Sequence, residues 1–587
     1  MGRSNAIPHK KAGRPPKKTN LSSKGGRKKK DIFDPSVSVS ERTIYRRAEE
    51  LTAQCNYNIQ IIELALTIAK KQNGIDSRAV VVSEKSDAIK HNEESALAIF
   101  LDLDFSVYQY KNLTADCLNR NCRIFPNYNK IAAAKKNCLV EILKNSESEV
   151  MVSLQNMLNK SIERLCELKA KDWSSMSLFN LEFIVSLGFD SSSGHVSPNQ
   201  VAVDQNNNNN TTQVSLFVSC LNIIQMSCTL EGFENEWINP TPQSIRFTRP
   251  LRMSFEKENN EAINQEIERI NYEIDHLKVH NFKLDNDKTV RFKYDVYKTL
   301  FDGKCVNTLV KNNATCRCPM CLKTTHQFGN PACDFTPLKS SLSFGLSSLH
   351  AEIKVFEHLL HISYRLELGE WDIRADMQDR FKERKKKIQD ILYTKIGVKV
   401  DLCLQGHGTT NTGNVARRCF ENSELFAECL EINSVLVKNL AHILLCFKSK
   451  KELDLDKLEK LCIETYWLHY SSYEWSRMNP STHKLLMHGC QICRQFPLPI
   501  AYFSEDSSEA WHKLNRSNLK SGSRQCSREY RLLDTFNKAV YLSDPKISMT
   551  HVADRLKFRK NLDAPEEVKE FFIRTPTSQD EDIMEID

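Results

Sequence analysis

The spacing of apolar residues predicts that the chain changes from helices to strands near residue 180. Residues 57–72, 129–144 and 149–169 place apolar side chains three or four positions apart, without proline or glycine. That period is typical of amphipathic helices, so residues 55–175 are expected to be mainly helical and to serve in packing or dimerisation. Residues 181–189 form a short apolar run that is typical of a buried strand.

A series of strands is predicted after this point. Residues 214–220 alternate apolar and smaller side chains and lead into a second apolar run, 221–226. Residues 257–278 are charged and have helical periodicity, and residues 290–301 alternate apolar and polar side chains. We therefore expect a strand, hairpin strands, a helix and another strand in this order.

The rest of the chain returns to helical periodicity. Residues 340–480 show it with a break at 405–413, and residues 508–545 are predicted to form one further helix. Residues from Pro576 onward are polar and acidic. No apolar run reaches the roughly 18 residues of a membrane span, so no membrane partner is expected.

Charge is distributed unevenly along the chain. The net charge is +8, yet residues 1–30 contain many lysines and arginines and no acidic residue. A basic arm on a nearly neutral body indicates a nucleic-acid partner or a nuclear-import signal, and a merely solvated tail is the alternative.

The arm contains a sequence with the shape of an AT-hook. Gly13-Arg14-Pro15 is an extended, narrow core that lets an arginine enter the minor groove of A·T-rich DNA. A capping box at residues 38–41 then predicts the start of a basic helix. The residues expected to bind DNA in this region are Arg14, Lys17, Lys18, Arg42, Arg46 and Arg47.

Two carboxylates follow predicted strands, and a third begins a predicted helix. Asp190 and Asp302 each come directly after an apolar strand, and Glu509 lies in the first turn of the helix after residue 508. If the two strands are neighbours in one sheet, the carboxylates come together as hard oxygen ligands suited to Mg²⁺. Ordinary turn aspartates are the alternative interpretation, and Glu505 is a rival third carboxylate.

The helix after Glu509 carries a predicted basic stripe. Its cationic residues recur at spacings of three and four, which puts them on one helical face: Lys513, Arg516, Lys520, Arg524 and Arg528. Such a face suits the DNA backbone, and a solvated helix face is the alternative.

Paired cysteines and histidines predict a metal site. The chain has 20 cysteines, and the basic N-terminus has no apolar segment behind it, so metal ligands are favoured over disulfides. Thiolates at C-x₂-C spacing bind zinc readily, and H-x₄-H spacing is also usual for zinc sites. The leading set is Cys318, Cys321, His483 and His488; Cys490 and Cys493 are alternatives to the histidines, and Cys316 and His326 are further candidates.

These motifs, in this order, resemble the catalytic subunit of the V(D)J recombinase and the Transib transposases. The likeness lies in Asp302 followed by Cys318-Pro319-Met320-Cys321, in the His483/His488 pair and in Glu509 about twenty residues later. Asp190 looks like the first aspartate, and weaker likeness includes Leu349-His350 and Gly413 to Arg418. The asparagine run after Asp190 and the spacing from Asp302 to the cysteine pair depart from the vertebrate recombinase.

The resemblance implies an α/β, RNase H-like (retroviral integrase-like) core with a large α-helical zinc-binding insertion and a helical N-terminal region. The implied catalytic residues are Asp190, Asp302 and Glu509, holding Mg²⁺ or Mn²⁺. It favours a zinc site made of two cysteines and two histidines. The expected division is an arm and helix that bind terminal repeats (1–54), a helical dimerisation region (55–175), the first part of the core (176–310), the zinc-binding insertion (311–500), the last part of the core (501–560) and an acidic tail (561–587).

The function implied by the resemblance is that of a DNA recombinase or transposase. It would bind double-stranded DNA at inverted-repeat ends, nick it and use the freed 3′-hydroxyl in transesterification, as a homodimer in the nucleus. The resemblance leaves open an accessory subunit. A domesticated, catalytically silent DNA-binding protein is the alternative.

Overall fold

The computed structural model describes residues 89–169, 179–196, 213–228, 237–283, 289–404, 408–550, 552, 562–573 and 583–584. The chain divides into two units, residues 1–90 and 91–587, and every element below belongs to the second. The basic arm, the helix predicted after it and the helix predicted at residues 57–72 lie outside the described residues.

The first described elements are three helices, two short strands and a longer helix. In chain order they are α1 (Glu93–Asp102), α2 (Val107–Asn119), α3 (Tyr128–Cys138), β1 (Ile142–Asn145), β2 (Glu149–Val152) and α4 (Leu154–Lys169).

Six further strands and one helix follow. They are β3 (Phe179–Val196), β4 (Gln213–Cys228), β5 (Trp237–Ile238), β6 (Thr248–Ser254), α5 (Asn260–Asp275), β7 (His280–Lys283) and β8 (Thr289–Leu300). The predicted first strand, helix and last strand are present as β3, α5 and β8, but the two runs predicted as hairpin strands, 214–220 and 221–226, form one continuous strand, β4. The chain is thus a mixed α/β protein.

The eight strands form one mixed sheet. Its order is β1-β2-β6-β4-β3-β8-β7, with β5 paired to β4. The long central strand β3 is antiparallel to β4 and parallel to β8. Parallel neighbours need a crossover connection, and α5 and β7 lie within the connection here.

Two predicted helices are wrong in part. The helix predicted at 129–144 ends at Cys138 and is followed by β1, and the one predicted at 149–169 begins as β2. The reason is long-range pairing, because β2 places Val150 opposite Met253 of β6 and buries it. Strand β6, which contains Pro250, was not predicted from the sequence.

The helix predicted for dimerisation or packing lies inside this unit. Arg164 of α4 pairs with Asp544 near the end of the chain at 3.0 Å, and the two side chains are 3% and 0% exposed. A buried ion pair of this kind strongly disfavours loss of either partner, because the other charge would then stay uncompensated. Helix α4 is therefore anchored to the C-terminal elements.

Between β8 and residue 500 the described elements are almost all helical. They are α6 (Gly303–Leu309), α7 (Lys339–Leu342), α8 (Ser348–Arg365), α9 (Gln378–Lys395), β9 (Cys403–Leu404), β10 (Gly408–Thr409), α10 (Gly413–Phe420), α11 (Ser423–Leu430), α12 (Ser434–Lys448), α13 (Leu455–Ser472), α14 (Pro480–His483), a π-helical turn (Lys484–His488) and α15 (Gly489–Cys493). None of the helices that the structure describes is long and apolar enough to cross a membrane.

The last elements are mostly helical and include two short strands that pair with each other. They are a 3₁₀ turn (Ile500–Phe503), α16 (Asp506–Ser517), a second π-helical turn (Asn518–Gly522), α17 (Arg528–Leu542), α18 (Pro545–Met549), β11 (Leu562–Asp563), α19 (Glu566–Lys569) and β12 (Ile583–Met584). The single helix predicted at 508–545 is wrong, because it breaks after Gly522 and resumes at Arg528.

Part of the predicted acidic tail is packed. Val568 and Phe571 are buried, and the backbone N–H of Asp454 donates to the Phe571 carbonyl at 2.8 Å. Residues near α19 therefore belong to the folded unit.

One glycine permits the parallel pairing of β3 with β8. Gly188 lies opposite Leu300, and a Cβ added to it would sit 2.0 Å from the Leu300 carbonyl oxygen. No real Cβ contact is so short, so any side chain at 188 pushes the two strands apart.

We expect Gly188→Ala to destabilise the protein by about 1–3 kcal/mol or more through overpacking of backbone against backbone. Gly303→Ala is the matched control, since a Cβ there meets nothing within 4 Å, and its effect should stay within about 0.5 kcal/mol. Urea denaturation of both variants measures this. Equal stability of the two variants would contradict the close approach of β3 and β8.

Candidate active site and metal site

The pairing of β3 with β8 brings two aspartates close together at the point where β8 ends. The prediction that the first strand ends at Asp190 is wrong, because β3 stays paired with β4 and continues to Val196. Gly188 and Leu300 are register partners in the parallel pair, and Asp190 and Asp302 each lie two residues further on. The neighbouring strands that the carboxylate hypothesis required are therefore present. Asp190 still pairs with Val218 of β4, whereas Asp302 has left its strand.

Asp302 caps the helix that follows. Its carboxylate accepts a hydrogen bond from the Cys305 backbone N–H at 2.7 Å, as an aspartate at a helix N-cap does. Glu258, Asp302 and Cys305 offer ligand atoms within 4.8 Å of one another. Burial raises the pKa of Glu258, and the nearby charge of Asp302 raises it further. A cation bound here would relieve that repulsion.

Glu509 faces the same edge from the first turn of α16. Burial raises its pKa, and the charges of Asp190 and Asp302 add to that effect, while His350 and His512 oppose it. The three carboxylates predicted as a catalytic set thus share one electrostatic environment. Its excess of negative charge favours cations.

Glu505, the rival third carboxylate, is buried and bound by other side chains. Its side chain is 4% exposed, against 39% for Glu509. It accepts a hydrogen bond from Ser347 Oγ at 2.5 Å and pairs with His350. Burial raises the pKa of Glu505 to about 7, although His350 and Ser347 oppose the rise. The accessible carboxylate of the two is Glu509.

His350 connects the two glutamates. Its Nδ1 pairs with Glu505, and its Nε2 lies 3.5 Å from Glu509 Oε1. Burial disfavours its charge, but the hydrogen bond and charge of Glu505 prevail and raise the pKa of His350 to about 9. The sequence singled this histidine out only through a weak family likeness.

His512 binds the first aspartate. Its Nε2 lies 2.7 Å from Asp190 Oδ2. Burial opposes its charge, yet Asp190 and then Glu509 raise the pKa of His512. The sequence analysis missed this residue, although its position three residues after Glu509, on the same helical face, was a usable signal.

A cavity of about 830 Å³ opens beside Asp302. Its cationic lining residues include Lys304, Arg317, Lys354 and Lys484. Within this lining Asp302 is the one carboxylate. The cavity therefore places cationic side chains next to the acidic edge, although Lys304 pairs with Glu258 and Lys354 with Glu357.

The predicted basic stripe holds only in part. Lys513, Arg516 and Lys520 are exposed on or just after α16, and Arg516 donates to the Ser193 carbonyl of β3 at 3.4 Å. The prediction that Arg524 lies on the same helix is wrong. Arg524 lies in the break before α17 and binds Asp534 at 2.8 Å. Its charge is thus largely satisfied within the chain.

The other predicted DNA-binding residues lie outside the described residues. They are Arg14, Lys17, Lys18, Arg42, Arg46 and Arg47.

A cysteine pair and a histidine pair that are distant in the sequence come together in the structure. They are Cys318 with Cys321 and His483 with His488. Their ligand atoms all lie within 4.8 Å of one another, and all four residues are buried. This geometry suits tetrahedral binding of a metal ion such as zinc. The alternatives do not join the group: Cys490 interacts with Cys462 and Cys446, and Cys316 and His326 are exposed.

Local structure aims the cysteines inward. The Cys318 carbonyl accepts from the Leu322 N–H at 2.8 Å, and Leu322 adopts a left-handed conformation with φ of 59°. This tight loop lets the Met320 N–H donate to the Cys318 sulfur at 3.4 Å. Such backbone donors stabilise thiolate ligands.

The π-helical turn aligns the histidines. In an α-helix, residues five apart point about 140° away from each other. The π-helical turn at Lys484–His488 closes i→i+5 hydrogen bonds, which bring His483 and His488 towards one face. Phe328 stacks on the His483 ring at 3.8 Å and holds it in place.

The pKa shifts of Cys321 and His483 and the open ring nitrogen of His488 fit a metal site. The His488 Nε2 atom is buried without a hydrogen-bond partner, and His483 Nδ1 contacts the Tyr466 hydroxyl at 3.0 Å, which leaves Nε2 toward Cys321. The hydrogen bond from Cys318 lowers the pKa of the Cys321 thiol. Burial lowers the pKa of His483. A thiolate and neutral imidazoles are the forms that bind metal.

Comparisons with known proteins give a distant structural likeness. No protein-family model and no curated protein sequence matches the chain. Among solved structures, one match is the Drosophila P element transposase strand transfer complex, with 9% sequence identity and a TM-score of 0.38, covering 83% of this chain and 99% of that one. At this TM-score the likeness assigns neither fold nor activity.

We expect purified protein to contain about one zinc equivalent per chain, bound by the four-residue group. His488→Ala should lose the metal and lower the melting temperature, because an open fourth position weakens binding and the site ties distant segments together. Cys493→Ser is the matched control, as it changes a buried thiol outside the group. Elemental analysis and thermal unfolding measure both effects. Metal retained in His488→Ala but lost in Cys493→Ser would contradict the assignment.

Proposed function

We propose that this chain is a DNA recombinase or transposase related to the V(D)J recombinase catalytic subunit and the Transib transposases. The observation that carries the proposal is the parallel pairing of β3 and β8, which brings Asp190 and Asp302 to one edge with Glu509 facing them. The mixed sheet with its central strand β3 is compatible with an RNase H-like core.

Asp190, Asp302 and Glu509 are the proposed ligands of two Mg²⁺ or Mn²⁺ ions. The mutual repulsion of the three carboxylates supports this role, since it favours a bound cation. Paired divalent ions in such a site supply activation of a water or 3′-hydroxyl and stabilisation of the leaving oxygen in phosphodiester cleavage. The proposed reactions are nicking at inverted-repeat ends and then transesterification.

Histidines flank these carboxylates in this structure. His512 binds Asp190, and His350 lies between Glu505 and Glu509. Burial opposes the charge of both histidines, yet neighbouring carboxylates raise the pKa of each, and these pairs orient Asp190 and Glu509 where the ions are proposed to bind. Asp190 would exchange His512 for metal as the site is loaded.

The proposed zinc site is structural. Cys318 and Cys321 lie soon after Asp302, and His483 and His488 lie soon before Glu509. Joining the two ends of the insertion restricts where α16 begins, and therefore where Glu509 points. Lys484 supports this link, because its charge interacts with both Cys318 and Glu505 and its Nζ donates to the Gly345 carbonyl at 2.9 Å.

DNA would be bound at two places. The arm and its helix, residues 1–54, are proposed to select terminal repeats, and Lys513, Arg516 and Lys520 to contact phosphates near the catalytic edge. The same proposal includes nuclear localisation and a homodimer formed through residues 55–175. It also includes the division of the chain into regions that begin at residues 176, 311, 501 and 561.

The catalytic proposal predicts loss of cleavage without loss of binding. Asp302→Ala and Glu509→Gln should lower the rate of nicking of an inverted-repeat DNA by about a hundredfold or more, since several kcal/mol of charge stabilisation are lost. A gel assay with Mg²⁺ or Mn²⁺ measures nicking, and a mobility-shift assay measures binding.

Glu268→Gln is the control, because Glu268 is an exposed carboxylate of α5. Its nicking rate should equal that of the unchanged protein. If the unchanged protein binds DNA but never cleaves it with either ion, the catalytic proposal fails, and the chain is a domesticated DNA-binding protein.

A further inference from the structure

A second cavity, of about 780 Å³, lies within the helical insertion beside the metal-site loop. One wall is the loop after Cys321, and the other is the end of α13 with the residues that follow it. Its lining residues include Gly329, Trp467, Tyr470, Glu474, Trp475 and Arg477. The proposed catalytic role uses none of them.

Aromatic rings form much of the cavity wall. Trp467 and Tyr470 lie three residues apart on α13, so they share one helical face, and Trp475 follows in the next loop. All three are half-buried, with part of each ring open to the cavity. Such rings offer flat apolar faces to a ligand.

The rings are held by close packing. Tyr470 meets the Tyr466 ring at 5.4 Å and stands perpendicular to His469 at 4.7 Å. A Cβ at Gly329 would come within 2.9 Å of the Tyr470 ring, so the metal-site loop approaches it as closely as a glycine allows. The cavity is therefore preformed and not made by mobile side chains.

The lining has one carboxylate, which lies at the rim of the cavity. Glu474 is exposed at the rim, and no ion pair is recorded for it within the described part of the chain. The guanidinium of Arg477 is already bound by both oxygens of Asp372, at 3.1 and 2.6 Å. An uncompensated carboxylate beside aromatic faces repels phosphate and attracts a positive group.

We propose that this cavity binds a methylated ammonium group, such as a methylated lysine on a partner protein. Aromatic faces attract cations, and quaternary ammonium groups use them best because their methyl groups also bury apolar surface. The carboxylate of Glu474 makes the affinity for a cationic ligand higher than that for a neutral ligand of the same shape. The proposal is independent of the catalytic one, since the cavity holds none of the catalytic carboxylates.

The test uses the full chain and two probes, tetramethylammonium and a short peptide with one trimethyllysine. Titration followed by tryptophan fluorescence and calorimetry should show saturable binding of both. The same peptide with a neutral tert-butyl group in place of the trimethylammonium should bind at least about fivefold more weakly. Glu474→Gln should weaken trimethyllysine binding by a similar factor and leave the neutral peptide unchanged.

Glu464→Gln is the matched control, since Glu464 is an exposed carboxylate of α13 that lies outside the cavity. Its affinity for both peptides should be unchanged. Trp475→Phe keeps a ring in place, and it should retain part of the affinity that Trp475→Ala loses. Circular dichroism and metal content check that each variant is folded.

Three results would overturn the proposal. They are equal binding of the charged and neutral peptides, unchanged affinity in Glu474→Gln, and displacement of the fluorescence signal by single-stranded oligonucleotide alone. The last result would make the cavity a base-stacking surface. None of these results bears on nicking, so failure here is distinguishable from failure of the catalytic proposal.

Discussion

The close parallel pairing of β3 with β8 is the constraint on which the rest of the site depends. It exists because Gly188 has no Cβ to meet the Leu300 carbonyl. That pairing places Asp190, within β3, beside Asp302, which follows β8. Glu509, in the first turn of α16, lies near enough to both aspartates for their charges to raise its pKa further than burial alone does.

Gathering carboxylates at one edge has an electrostatic cost. Their repulsion raises the pKa of both Glu258 and Glu509 after burial has already done so. Two histidines offset part of this cost, with His512 on Asp190 and His350 on the glutamates. Positive charge therefore stabilises this arrangement of carboxylates. A divalent ion supplies more positive charge than an imidazolium does.

The group of Cys318, Cys321, His483 and His488 joins the two ends of the long helical insertion. Cys321 and His483 are 162 residues apart, yet their ligand atoms are 3.5 Å apart. A link across so long a loop removes much chain entropy from the unfolded state. The π-helical turn makes the link possible, since His483 and His488 would diverge on a regular helix. The same loop also builds one wall of the aromatic cavity.

The sequence by itself determined the residues whose chemistry is local: the apolar runs that precede Asp190 and Asp302, the C-x₂-C pair and the H-x₄-H pair. Tertiary structure decided what depends on partners distant in sequence. Residues 149–152 are strand and not helix because β6 pairs with them. Glu509 is the open carboxylate because Ser347 and His350 occupy Glu505. Arg524 leaves the basic face because Asp534 binds it. Local periodicity carries no information about such contacts, since they form only when segments far apart in the chain meet.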